Sequence, residues 1–181
     1  MRFWKPVCKM EHGLIHIYCG DGKGKTTACL GLSIRCAGHG NKVLFVQFLK
    51  SRPTGELNSL KLFENMRGKE TAKFTFQMTD EEKKEVLQEH ELLFDKVIER
   101  ISEEKFDLLV LDEVIGACNT GVFNEDRLVD FLKNKQHTLE VVLSGRNPDK
   151  RLLEMADYVS EVCKRKHPKD RGIPARVGIE K

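Results

Sequence analysis

The run Gly20-Asp21-Gly22-Lys23-Gly24-Lys25-Thr26-Thr27 contains the residue types needed to hold a chain of phosphates. Its glycines let backbone N–H groups turn inward around an anion. A helix that starts just after them points its N-terminus at the same anion. Lys25 supplies a point charge for phosphate oxygens, and the Thr26 hydroxyl is placed to ligate Mg²⁺. The usual pattern for such a loop is G-x-x-x-x-G-K-[ST]. Counting back from Lys25, its leading glycine falls on Cys19, so the strict pattern is missed by one position. The alternative is a glycine-rich strand-to-helix turn with incidental lysines. Asp21 is at odds with an anion nest, because phosphate repels a carboxylate. The expectation is that it points outward or pairs with Lys23.

Two further clusters follow apolar runs. Leu108–Leu111 leads into Asp112-Glu113, an acidic end to a buried strand of the kind that holds Mg²⁺ directly or through water. Leu139–Leu143 leads into Ser144-Gly145-Arg146, where Arg146 is either a phosphate or nucleotide ligand or a surface arginine in a turn.

These residues need a scaffold that brings them together. Apolar runs and helical patterns alternate along the 181 residues. Strands are expected at Leu14–Cys19, Lys42–Phe48, Lys73–Phe76, Phe106–Asp112, Leu139–Leu143 and Tyr158–Cys163. Helices are expected at Thr26–Ala37, Glu56–Phe63, Asn124–Asn134 and Asp149–Ala156, the last with Asn147 as its cap. A long helix starts at Thr79, where Thr79 and Glu82 form a capping-box pair. Val86, Leu87, Leu93, Phe94, Val97, Ile98 and Ile101 give that helix one apolar face. Alternation of this kind predicts an α/β fold, a mostly parallel sheet with helices on both faces. Ligands bind at the C-terminal ends of such strands, where all three clusters lie.

Composition is that of a single globular domain spanning 1–181, with 40% hydrophobic and 33% charged residues. No apolar run reaches the length of a membrane span, and Met1–Met10 lacks the apolar core of a secretory signal. The six cysteines have no C-x-x-C spacing, which disfavours zinc and a disulfide framework. Cys29, Cys36 and Cys163 are expected as reduced core thiols of a cytoplasmic protein. The net charge of +3 is concentrated at the end of the chain. Segment 164–181 holds Lys164, Arg165, Lys166, Lys169, Arg171, Arg176 and Lys181 against Asp170 and Glu180. This basic segment is either a solvated tail or one that folds over an anion.

Taken together, these segments resemble the P-loop type of corrinoid adenosyltransferase, the cob(I)alamin and cob(I)yrinic acid a,c-diamide adenosyltransferase family. The similarity runs from about Gly13 to Glu180. GDGKGKTT at Gly20–Thr27 is similar to the family's variant loop, which also lacks the leading glycine. RCAGHG at Arg35–Gly40, VLFVQFLK at Val43–Lys50, TGEL at Thr54–Leu57, FDLLVLDEV at Phe106–Val114 and LEVVLSGRNP at Leu139–Pro148 follow as in the family. KHPKDRGIPARVGIE at Lys166–Glu180 resembles its C-terminal signature. Asp21 stands where asparagine is usual, and the stretch ahead of the first strand is shorter than in some members.

The resemblance implies a P-loop NTPase-like (RecA-like) fold and a transfer reaction. The 5′-deoxyadenosyl group of ATP passes to Co(I) of a corrinoid, and triphosphate leaves. The implied site is Gly20–Thr27 and Arg146 for ATP, Lys25 and Glu113 for catalysis, and Thr26, Asp112 and Glu113 for Mg²⁺. Phe74 and Phe76 lie where family members place aromatic rings against the corrinoid; the alternative is that both are core residues at a strand end. The resemblance also implies a homodimer and a flavin-type reductant as partner. A P-loop ATPase or small-molecule kinase is the competing reading, with Glu113 positioning the nucleophile. A nucleic-acid partner is not expected, because no binding motif accompanies the basic tail.

Overall fold

A computed structural model describes residues 11–49, 55–56, 63–68, 73 and 75–179. The chain runs from β1 (Ile15–Cys19) through α1 (Lys25–Gly38) to β2 (Val43–Gln47) and β3 (Glu64–Arg67). A 3₁₀ turn at Thr75–Gln77 precedes α2 (Asp80–Glu103) and β4 (Leu108–Asp112). Then come α3 (Val114–Asn119), α4 (Glu125–Asn134), β5 (Glu140–Ser144), α5 (Lys150–Met155), β6 (Tyr158–Glu161) and a 3₁₀ turn at Pro168–Arg171. The strands form one sheet in the order β3-β2-β4-β5-β1-β6, and every pairing is parallel. The expected α/β architecture is therefore the observed one.

Parallel strands require crossovers, and the crossover helices cover both faces. That is why β2 and β4 are buried along their whole length. Side chains alternate between the two faces. Leu44, Val46, Leu109 and Leu111 join one cluster with Phe94 and Val97 of α2 and Leu128 of α4. Val43, Phe45, Leu108 and Val110 join another with Cys29 of α1. Strand β6 lies at one edge and is exposed throughout.

The register sets the position of the site. Gln47 pairs with Asp112, Leu111 with Leu143, and Tyr18 with Ser144. The C-terminal ends of β2, β4, β5 and β1 thus stand side by side.

Several local expectations are corrected. The strand expected at Lys73–Phe76 does not include Thr75 and Phe76, which lie in a 3₁₀ turn at Thr75–Gln77; Phe76 is 81% exposed, so it is not a core residue. Phe74 and most of the loop and helix expected between Ser51 and Phe63 lie outside the described residues. The strand in this region is β3, whose sequence ENMR has no apolar pattern and which is held by backbone pairing to β2. The cap of α5 is Asp149, whose Oδ1 accepts the Arg151 N–H at 2.9 Å, whereas Asn147 has a left-handed φ of 48°. Cys163 is exposed, while Cys29 is buried. Among the described residues no helix is long and apolar enough to cross a membrane.

The capping box of α2 is formed on both sides. Thr79 Oγ1 accepts the Glu82 N–H at 3.2 Å, and Glu82 Oε2 accepts the Thr79 N–H at 2.9 Å. Within the apolar face of this helix sits His90, 5% exposed, with Nδ1 donating to the Val122 carbonyl at 2.9 Å. Burial holds its pKa below the ordinary 6.5. The unfolded chain therefore binds a proton here more readily than the folded one. His90 contributes full stability above pH 6.5 and loses it as pH falls below that value. Urea midpoints measured over this range should fall more steeply for the wild type than for His90→Gln; parallel slopes would refute the assignment.

Candidate active site

Strand β1 ends at Cys19, and the chain then turns through Gly20–Gly24 into α1. This loop is pressed against the chain leaving β6. The Gly22 N–H donates to the Val162 carbonyl at 2.7 Å, and a Cβ on Gly22 would meet that oxygen at 2.6 Å. Only glycine tolerates so close an approach. Gly24 is required for a different reason. Its surroundings are open, but its φ is +124°.

Helix α1 starts without a side-chain cap and with no acid in its first turn. Its first N–H groups and the positive end of its dipole thus face the loop, which suits an anion. Lys25 is 7% exposed, and its Nζ donates to the carbonyls of Gly20 at 2.8 Å and Gly22 at 3.0 Å. An ammonium has three protons, so one donor remains for a ligand even with the loop folded on itself.

The neighbouring strand brings the acid. Asp112 is fully buried. The Thr26 hydroxyl lies 3.1 Å from each of its carboxylate oxygens, and Ser144 Oγ donates to Oδ1 at 2.6 Å. Ser144 in turn accepts the Glu113 N–H at 2.9 Å. Sequence reasoning missed Ser144; its only signal is a small polar residue closing an apolar strand next to Gly145-Arg146. The paired oxygens of Thr26 and Asp112 are hard ligands of the type that suits Mg²⁺. Glu113 behaves differently from Asp112. It adopts φ 61° at the start of α3, and its Oε2 would lie 3.1 Å from a Cβ on Gly116. Its carboxylate thus folds over α3.

Cys29 lies beneath this cluster. Burial, reinforced by the charge of Asp112, pushes its thiol far above the ordinary range, so it stays protonated and is a poor nucleophile. Gln47, 2% exposed, was also missed; its Oε1 has no hydrogen-bond partner among the described residues, and its backbone pairs with Asp112.

The remaining expected residues line the rim. Lys23, Thr27 and Arg146 are exposed. Asn119 Nδ2 donates to the carbonyls of Arg146 at 2.6 Å and Asn147 at 3.1 Å, which fixes that turn. Asp21 is exposed, and its Oδ1 accepts the backbone N–H of Lys164 at 2.8 Å. That hydrogen bond, aided by the charges of Lys164 and Arg146, holds its carboxyl below the usual range. The structure brings Lys25, Thr26 and Asp112 together. It sets Phe76 on the surface, in the 3₁₀ turn ahead of α2.

Comparison with known proteins accords with this geometry. The profile of the family described as ATP:corrinoid adenosyltransferase BtuR/CobO/CobP matches residues 11–180. A corrinoid adenosyltransferase of Escherichia coli (strain K12) is 32% identical over 176 residues, covering 94% of this chain and 86% of the relative. A corrinoid adenosyltransferase of Sinorhizobium sp is 35% identical over 173 residues, covering 94% and 81%. An uncharacterised protein of Nostoc sp. (strain PCC 7120 / SAG 25.82 / UTEX 2576) is 31% identical over 174 residues, covering 87% of this chain and 45% of its own length. With a profile match over nearly its whole length and relatives above 30% identity, the chain belongs to the ATP:corrinoid adenosyltransferase family.

Proposed function

We propose that the chain transfers the 5′-deoxyadenosyl group of ATP to the reduced cobalt of a corrinoid, with inorganic triphosphate as leaving group. The observation that carries this reading is the meeting of Lys25, Thr26 and Asp112 at the uncapped start of α1. The nucleophile arrives with the corrinoid, so the chain's own residues bind, orient and neutralise charge.

Gly20–Thr27 holds the triphosphate through backbone N–H groups. Lys25 exchanges its contacts with the loop carbonyls for triphosphate oxygens and stabilises the charge that develops on the leaving group. Arg146 adds positive charge from the next loop. Thr26 and Asp112 would hold Mg²⁺, with Glu113 adding negative charge beside them, and the bound ion would supply further neutralisation of the triphosphate. Phe76 presents its ring outside the core, where a corrinoid can reach it, and Phe74 is assigned the same role. A homodimer, a flavin-type reductant and a cytoplasmic setting complete the proposal. The free thiols of Cys19, Cys29, Cys36, Cys118 and Cys163 accord with the last.

The test is incubation with ATP, Mg²⁺ and a chemically reduced corrinoid. A light-sensitive adenosyl product and triphosphate are expected in equal amounts. Release of ADP without that product would favour an ATPase or kinase.

Four variants separate the assigned roles. Lys25→Ala should lower kcat/KM for ATP by roughly 10²-fold, the scale of losing one donor to developing charge. A melting curve checks that the loop stays folded without its Lys25 contacts. Asp112→Asn should raise the Mg²⁺ concentration for half-maximal rate on the order of tenfold, and Glu113→Gln by less. Unchanged titrations in both would remove Mg²⁺ from this edge. Because Phe76 is exposed, Phe76→Ala should change stability by no more than about 0.5 kcal/mol. It should nevertheless slow transfer that depends on reducing the corrinoid at the site, with ATP affinity kept. Loss of ATP binding in this variant would assign the ring elsewhere.

A further inference from the structure

The phosphate loop and the last strand are stitched by a short series of hydrogen bonds. The Val162 N–H donates to the Cys19 carbonyl at 2.8 Å, and the Gly22 N–H donates to the Val162 carbonyl at 2.7 Å. Both are backbone bonds. The next in the series, from the Lys164 N–H to Asp21 Oδ1 at 2.8 Å, requires an acceptor side chain at position 21. It is therefore the one stitch in this series made by a side chain of the loop.

Lys164 is also the first residue of the basic segment. Beyond it the chain turns on its own hydrogen bonds. Lys164 Nζ pairs with Asp170 at 3.1 Å, the Gly172 N–H donates to the Lys169 carbonyl at 2.9 Å, and the Ile173 N–H donates to the Pro168 carbonyl at 3.1 Å. Arg165, Lys166, Lys169 and Arg171 are exposed. The direction in which this folded, cationic unit leaves the body is set where it is rooted. That root is inside the loop that faces the phosphates.

We propose that Asp21 is a positioning residue: its side-chain oxygen roots the basic segment 164–179 at the mouth of the phosphate loop, so that the cations of that segment fall over the triphosphate of bound ATP. This explains how a carboxylate is tolerated in an anion nest. Its acceptor is turned outward and engaged by an N–H, and the cations it places outweigh its own charge. A side-chain amide has the same acceptor oxygen. Asparagine at this position would root the segment equally well, and alanine would not.

The proposal rests on ATP binding at Gly20–Thr27, and the experiment separates the two. Wild type, Asp21→Asn and Asp21→Ala are compared as full chains. The readouts are amide exchange at Lys164, tryptic cleavage between Lys164 and Arg176 with and without ATP, and ATP affinity against ionic strength. In the wild type and Asp21→Asn, the Lys164 amide is protected and ATP slows cleavage. In Asp21→Ala the amide exchanges freely and ATP no longer protects the segment. The ATP KM of Asp21→Ala rises roughly two- to tenfold, the scale of one hydrogen bond, with kcat little changed. Its ATP affinity also loses part of its salt dependence, because distant cations are screened and no longer add to binding. Asp21→Ala matching the wild type in ATP protection and KM, or Asp21→Asn failing as badly as Asp21→Ala, overturns the proposal while the nucleotide reading stands. A wild type that binds no ATP overturns both.

Discussion

Asp112 is a carboxylate at the end of the central region of the sheet with no exposed surface. A buried carboxylate is tolerated only where hydrogen bonds meet it. Here they come from Thr26, at the start of α1, and from Ser144, at the end of β5. The same side chain therefore ties together β4, α1 and β5, three elements far apart in sequence. Ser144 passes the connection on to the backbone of Glu113. The start of α1 is held against the sheet by the carboxylate to which we assign the metal, so the stability and the assigned chemistry of this edge cannot be varied independently.

The all-parallel topology makes this economy possible. Every strand delivers its C-terminal end to one edge, and each exit carries a different task. The loop after β1 brings its glycines and Lys25 to the uncapped start of α1. The end of β4 carries the acid. The end of β5 contributes a hydroxyl and then turns Arg146 toward the rim. Two tight approaches, of Gly22 to Val162 and of Gly145 to the backbone of Gly116, bring neighbouring exits closer than side chains would permit.

Much of this was legible in the residues alone. The runs Val43–Gln47 and Leu108–Asp112 are apolar on both faces, which betrays strands covered on both sides, and the spacing of glycines, Lys25 and Thr26 betrays a tight turn from strand into helix. The capping box of α2 is local and was read directly. Strand β3 was not legible, because ENMR is held by backbone pairing and carries no hydrophobic signature. Ser144 was missed because its hydroxyl meets a carboxylate 32 positions away in sequence. The difference between Asp112 and Glu113 depends on the left-handed backbone at Glu113, which no pattern of residue types records. Asn147 and Asp149 are both good caps by type, and only the geometry of the turn decides between them.

Leu49, Glu113 and Asn147 are the non-glycine residues with left-handed backbone among those described. They follow β2, β4 and β5, which are neighbours in the sheet. Each such conformation costs on the order of 1 kcal/mol that glycine would not incur. Among the described residues, this strain is thus arrayed along a single edge of the sheet. A selection for heat resistance alone would be expected to replace these positions with glycine first. It would thereby loosen the turns that aim Glu113 and Arg146, so thermal tolerance and the shape of this edge would evolve in opposition.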